Sequence, residues 1–152
     1  MYSISIQEQN FNLDDEVRQA ESSTNNAGAL VSFTGRVRAH DYENPLSHLF
    51  LEYFPGVTEK EIEKIILQAQ IQWPILYTRV IHRVGRINSG ENIVLVLTAS
   101  EHRKAAYQAN EFIMDYLKTR APFWKKEHFL NGDEHWVEMK QSDLEHSESW
   151  QN

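Results

Sequence analysis

No cysteine occurs anywhere in the 152 residues. Disulfides, thiolate metal sites, a cysteine nucleophile and a persulfide carried on this chain are therefore excluded. No run of about 18 or more apolar residues is present, so no membrane span is expected. The opening MYSISIQEQNF lacks the basic-then-apolar pattern of a secretory signal, and a soluble cytoplasmic protein is the expectation. The seven histidines include no HExxH and no paired spacing that implies zinc. Walker loops, GxGxxG and the nucleophile elbow are missing as well. Neither a metal nor a cofactor is expected. There is no internal repeat and no linker, and the length suits one domain able to bury a core without staples.

Positive charge is in the minority, with 15 Lys+Arg against 22 Asp+Glu and a net charge of −7. The deficit is uneven. Residues 1–35 carry one cation against five carboxylates, and residues 127–152 carry one against seven. The middle, 36–126, has thirteen against ten and is net positive. Nucleic-acid affinity grows with the number of phosphates neutralised, so this balance speaks against a nucleic-acid partner. It suits a small anion, or a partner segment ending in a carboxylate, held in one focused pocket.

Ile4 and Ile6 alternate with polar residues as in an edge strand, and Asp14 to Ser22 reads as a short polar helix. Ala27 to Val37 is rich in β-formers, with Gly35 marking a bulge or a close backbone approach. The loop His40 to Pro45 leads to a second strand, Leu46 to Phe54, and the two strands read as a hairpin with an extended tip. Thr58 and Glu61 have capping-box spacing ahead of a helix through Gln72, with Ile62, Ile65, Ile66 and Ala69 at helical intervals. Tyr77 to Ile87 and Ile93 to Ala99 read as strands around a turn at Asn88–Gly90. A long helix from about Glu101 to Lys118 buries Ala105, Ala109, Phe112, Ile113, Tyr116 and Leu117, and Pro122 stops it going further. Two short strands, Phe123–Phe129 and His135–Val137, flank Asn131–Gly132–Asp133. This order predicts an α+β domain on a mainly antiparallel sheet with two principal helices. The domain spans residues 1–140, and residues 141–152 form a polar, acidic tail.

Eleven of the 15 basic residues fall in four short clusters, each beginning or ending an element. They are Arg36/Arg38, Arg79/Arg83/Arg86, Arg103/Lys104 and Lys118/Arg120/Lys125/Lys126. The last belongs to KTRAPFWKKE (118–127), four cations around a proline and two large aromatics. Lysines beside Phe123 and Trp124 can be partly desolvated, which lowers the ammonium pKa from about 10.4; alternatively Lys118 and Arg120 only complement a helix C-terminus. His102 and Arg103 lie in the first turn of the long helix, with Ser100 as a possible N-cap. Free N–H groups there favour an anion, unless Arg103 simply pairs with Glu101 or Glu52. Arg36 and Arg38 flank Val37 and share a face. Two guanidiniums so placed suit phosphate or carboxylate, or form a solvated cationic strand. His82 reads as a packed or capping histidine.

The segments AGALVSFTGRVR (27–38), LEYFPGVTEKEI (51–62), VIHRVGRINSGENIVLV (80–96), SEHRKAAYQANEFIMDYLKTRAPFWKKE (100–127) and WVE (136–138) resemble the large, catalytic subunit of molybdopterin synthase. The resemblance implies an alpha/beta-hammerhead-like fold and an enzyme of molybdenum cofactor biosynthesis. Such an enzyme transfers sulfur to cyclic pyranopterin monophosphate to make the molybdopterin dithiolene. Its sulfur comes from a small ubiquitin-like partner subunit bearing a C-terminal thiocarboxylate, in a heterotetramer built on a self-dimer of large subunits. Carried over by motif, Lys118 and Lys125 are the catalytic lysines. Arg36, Val37, Arg38, His102, Arg103, Lys126 and Glu127 join them in binding substrate or the donor tail, and Phe33 shapes the site.

Composition and resemblance meet in one demand. A chain without thiols must receive its sulfur on another molecule, and supplies only the cationic cradle and the proton traffic. The alternative reading is a non-catalytic module that binds a phosphorylated metabolite or an acidic peptide tail.

Overall fold

The computed structural model describes residues 1–40, 43–137 and 150. The chain order is β1 (Tyr2–Gln7), α1 (Leu13–Ser23), β2 (Ala29–Arg36), β3 (Leu46–Tyr53), α2 (Val57–Gln72), β4 (Ile75–Arg83), β5 (Gly85–Asn88), β6 (Asn92–Ser100), α3 (Arg103–Thr119), β7 (Phe123–Phe129) and β8 (Glu134–Trp136). The α+β class and the two long helices are as expected, but the strands form two four-stranded sheets. One has the order β1-β4-β6-β2, the other β5-β3-β7-β8. All pairings are antiparallel except β1 with β4.

Alternation along the first sheet sends successive side chains to opposite layers. Val80, Val94 and Val96 meet Ile62, Ile66, Ala109 and Ile113 from α2 and α3. Tyr77, Leu97 and Ala99 meet Ala20 of α1 on the other face. Each fully buried aliphatic side chain here contributes roughly 1.5–3 kcal/mol relative to exposure, so the β-rich run 92–100 forms the centre of the molecule. Leu49, Leu51, Val84, Ile87 and Phe129 make a second core under the other sheet. Phe123 and Ile6 touch both cores.

Four expectations need correction. The segments 29–36 and 46–53 are not a hairpin: β2 pairs with β6, and β3 pairs with β5 and β7. Tyr77–Ile87 is not one strand. It breaks at Val84, where Gly85 takes φ +76° and the chain crosses from one sheet to the other. A glycine takes that left-handed conformation without steric cost. Thr58 and Glu61 are not the cap of α2; the N-cap is Gly56, whose N–H donates to Glu59 Oε2 at 2.9 Å. Thr58 is instead fully buried, accepting from the Phe54 N–H at 2.9 Å and donating to the Pro122 carbonyl at 3.0 Å. It thereby ties the start of α2 to the turn after α3. Finally, α3 begins at Arg103 with His102 as N-cap, and the Ser100 hydroxyl donates to the His102 carbonyl. Its buried face includes Ala106 and Asn110, while Ala105 and Tyr116 are only partly buried.

The register slips between Gly35 and Arg36, the bulge expected at Gly35. Glu138 and most of the acidic tail lie outside the described residues. Trp150, from that tail, packs edge-on to Trp73 at 5.8 Å and against Phe112 at 5.7 Å, and its indole N–H donates to Asp115. Among the described residues no helix is long and apolar enough to cross a membrane.

Candidate active site

β2 is an edge strand, so α3 lies over both it and β6 and leaves a cavity of about 480 Å³ along the seam. Val31, Ser32 and Phe33 form one wall. Tyr107, Asn110, Glu111, Met114, Asp115 and Lys118 form the other, the i, i+3, i+4 face of one helix. Asn110 fastens the two walls. Its buried Nδ2 donates to the carbonyls of Val31 at 3.1 Å and Val96 at 2.9 Å, with Thr98 Oγ1 at 3.3 Å. Reading for charge alone overlooked Asn110. Its signal was a lone amide in the apolar stripe of α3.

Lys118 ends the cavity, in the last turn of α3, where a cation also complements the carbonyl end of the helix. The apolar side chains lining the cavity with it include Val31, Phe33 and Met114. Phe123 and Trp124, expected as its neighbours, face elsewhere: Phe123 stacks on His82, and Trp124 is exposed.

Lys125 stands on β7, partly buried, and alternation puts it on the same face as Phe123 and Glu127. Across the ladder it meets Leu51, and Glu127 meets Leu49, both core residues. The Glu127 carboxylate is buried, with His135 Nε2 3.2 Å away. Lys126 takes the opposite face. Its ammonium pairs with Glu134 at 2.8 Å and lies 5.6 Å from the Trp136 ring. That hydrogen bond holds the Glu134 carboxyl below its ordinary pKa. His128, whose Nδ1 is 3.1 Å from Glu134 Oε2, stacks on His48.

Arg36 closes β2, exposed, with its guanidinium donating to the Gly90 carbonyl. Val37 is buried, its N–H bonded to the Glu91 carbonyl at 2.9 Å, and Arg38 is exposed beyond it. His102 and Arg103 are exposed at the start of α3. Arg103 and Lys118 are therefore fifteen residues apart on one helix, about 22 Å at the standard rise. Within one chain the structure brings Lys118 to Phe33, at the end of β2 that carries Arg36, and leaves His102 and Arg103 at the far end.

The Arg79/Arg83/Arg86 cluster is largely structural. Arg79 bonds Glu16 at 3.0 Å and Ser3 at 2.7 Å, pinning α1 to the sheet. Arg83 is buried and donates to the carbonyls of Glu8 at 3.0 Å and Asn92 at 2.9 Å and to Glu91 at 3.1 Å. That hydrogen bond, its largest influence, draws the Glu91 carboxyl below its usual range. Burial lowers the His82 imidazole to about 4, against a partly offsetting hydrogen bond to the Arg83 carbonyl, with the Lys125 charge lowering it further. Among the described residues no group of three His, Cys, Asp or Glu is placed to hold a metal.

Known proteins resemble this chain over most of their length. The "Molybdopterin synthase catalytic subunit" of Mesorhizobium japonicum is 46% identical over 151 residues, covering 99% of this chain and 94% of that protein. The solved "Molybdopterin biosynthesis MoaE protein" from Burkholderia ambifaria superimposes with a TM-score of 0.84 at 40% identity, covering 100% of this chain and 99% of the other. A chain of the solved complex of subunits 1 and 2 of molybdopterin-converting factor from Helicobacter pylori shares the fold. Its TM-score is 0.69 at 21% identity, over 92% of this chain and 90% of that one. With the MoaE protein model matching residues 6–120, over the strands and helices that build the cavity, this chain belongs to the MoaE family.

Proposed function

We propose that this chain is the catalytic subunit of a molybdopterin synthase, moving sulfur from the C-terminal thiocarboxylate of a small partner subunit to cyclic pyranopterin monophosphate. The observation that carries the reading is a cavity ending in Lys118 on a chain that has no thiol of its own. An enzyme so built binds, orients and neutralises while the sulfur arrives on another molecule. Lys118 and Lys125 act on the thiocarboxylate carbon and the cyclic phosphate, where an ammonium offsets negative charge as it develops and moves protons. Arg36 and Arg38 bind anionic groups at the β2 end; on β7 Glu127 shares the face of Lys125, and Lys126, on the opposite face, has the smaller part. Such a reaction is cytoplasmic.

One helix cannot bring Arg103 and Lys118 to one ligand, so the reading uses a self-dimer. His102 and Arg103 of one copy complete the anion site at the Lys118 cavity of the other. Lys118→Ala and Lys125→Ala are expected to abolish dithiolene formation from the substrate and a thiocarboxylated small subunit, with fold and partner complex intact. An Arg103→Ala chain mixed with a Lys118→Ala chain is expected to regain activity that neither has alone. Full activity in either lysine variant overturns the assignment; ligand binding without turnover in the wild type would favour the non-catalytic module.

A further inference from the structure

Lys118 and Lys125 belong to different layers of the fold. Lys118 is in the last turn of α3, whose apolar face packs on the first sheet, and Lys125 lies on β7, opposite Leu51 in the second. The chain passes from one to the other through Thr119 to Pro122 and the first residues of β7. Local bonds close the helix end: Thr119 Oγ1 donates to the Asp115 carbonyl at 2.6 Å, and the Arg120 and Ala121 N–H groups donate to the Tyr116 carbonyl at 2.8 and 3.1 Å. A bond from outside the connection reaches it at Pro122, whose carbonyl accepts the Thr58 hydroxyl at 3.0 Å.

The place of that bond matters. The β3–β7 ladder ends with Glu52 opposite Trp124 and Tyr53 opposite Phe123, so the next pair would be Phe54 and Pro122. The Lys125 carbonyl points away from β3, to the Val137 N–H at 2.8 Å. By alternation the Pro122 carbonyl then points toward β3 and the Phe54 N–H. The Thr58 hydroxyl stands between these two groups, accepting from the Phe54 N–H at 2.9 Å and giving its single proton to the Pro122 carbonyl. Proline has no N–H to return. The Phe54 carbonyl turns instead to the N–H groups of Val57 and Thr58, at 3.0 and 2.9 Å. One fully buried side chain thus supplies the last rung of the ladder, where β3 leaves for α2 and the chain arrives from α3.

We infer that Thr58 is a positioning residue for the lysine pair: its hydroxyl sets the spacing between the end of β3 and the α3–β7 connection, and thereby the placement of Lys118 relative to Lys125. The inference rests on the proposed roles of the two lysines and deepens them. Helix packing holds the backbone of Lys118 and the β3–β7 ladder holds that of Lys125, and the connection between the two passes through Pro122. Without the oxygen, the Phe54 N–H and the Pro122 carbonyl lose their shared partner. They relieve this by closing on each other or by parting to reach water. Either movement shifts the connection, and a misplacement of about 1 Å in a catalytic constellation costs on the order of 100-fold.

The test uses the complete synthase with thiocarboxylated partner. Thr58→Val keeps the shape of the side chain and removes the hydroxyl. It is expected to lower kcat per folded molecule roughly 10- to 100-fold, with the KM for cyclic pyranopterin monophosphate changed less than about threefold. Thr58→Ser restores the hydroxyl and is expected to bring kcat back to within about threefold of wild type. A purely structural role would lower the melting temperature of Thr58→Val and leave kcat per folded molecule unchanged, and that result overturns the inference. In 15N-labelled protein the Lys118 and Lys125 amide resonances are expected to move in Thr58→Val and to return in Thr58→Ser; unmoved resonances overturn it as well. If Thr58→Val does not fold, Thr58→Cys decides. Its thiol is a weaker donor, so kcat is expected to fall roughly three- to tenfold, and a wild-type kcat there overturns the inference. Failure of the reading beneath it looks different, since Lys118→Ala and Lys125→Ala would then be active whatever Thr58 does.

Discussion

Lys125 and Lys126 are neighbours in the chain and face opposite sides of β7. Lys125 turns toward Leu51 and the core of its sheet, while Lys126 turns outward to Glu134 and Trp136. The pair therefore divides into one lysine on the core-facing side of the strand and one engaged on the outer face. Lys126→Ala is expected to keep product formation within about fivefold of wild type, against the complete loss expected for Lys125→Ala. Steady-state assay of the two variants side by side checks this, and equal losses would mean that both lysines serve the same ligand.

Asn110 predicts a stability effect that depends on chemistry rather than size. Three oxygens surround its Nδ2, and an aspartate in its place would bring a fourth without a proton to share. Asn110→Asp is expected to cost about 2–4 kcal/mol near neutral pH, and to recover partly in acid, where the carboxyl can donate. Urea denaturation at two pH values measures it; a cost independent of pH would contradict the donor role.

His82 makes the fold sensitive to acid. Its imidazole is lowered to about 4 in the folded chain, below the unfolded value near 6.5. Between these values the unfolded state binds more protons, so stability rises with pH through the window. The contribution, on the order of 3 kcal/mol, is complete above the unfolded value and lost as the pH falls toward 4. Wild-type protein is expected to lose thermal stability from pH 6.5 to 4 more steeply than His82→Phe. Parallel curves would remove His82 as the source.

A fourth expectation concerns the corner that carries His102 and Arg103. The Gly28 N–H bonds the Ser100 carbonyl at 3.0 Å, and a Cβ on Gly28 would stand 2.2 Å from the Glu101 carbonyl oxygen. Backbone cannot give way as a side-chain tip can. Gly28→Ala is expected to destabilise by about 1–3 kcal/mol, and to weaken substrate binding by shifting the start of α3. Chemical denaturation and the KM of the variant report the two effects separately.

Periodicity made most of the elements legible. The apolar stripe of α3, the β-rich run that became β6 and the polar turn before β8 all stand close to where the residues place them. What failed was pairing. Residues 29–36 and 46–53 look like hairpin partners because they are consecutive strands of similar composition. Nothing local records that β6 and β7 offer each of them a better-matched edge. The capping box failed for a related reason: Thr58 has the right side chain, but its hydroxyl is used by the Phe54 N–H and the Pro122 carbonyl, the latter distant in sequence.

Composition and local pattern by themselves determined that this chain has no sulfur to give, that its cations gather at the ends of elements, and which residues form helices and strands. These are properties of residue types and of short-range geometry, which hold wherever the chain goes. Only the tertiary structure decided that Lys118 shares a cavity with Phe33, that Lys125 lies on the face of β7 that meets His82 while Lys126 lies on the other, and that Arg103 is a helix-length from Lys118. Those relationships are set by how two sheets and three helices bury their apolar faces against one another, a global requirement that no short stretch of sequence contains.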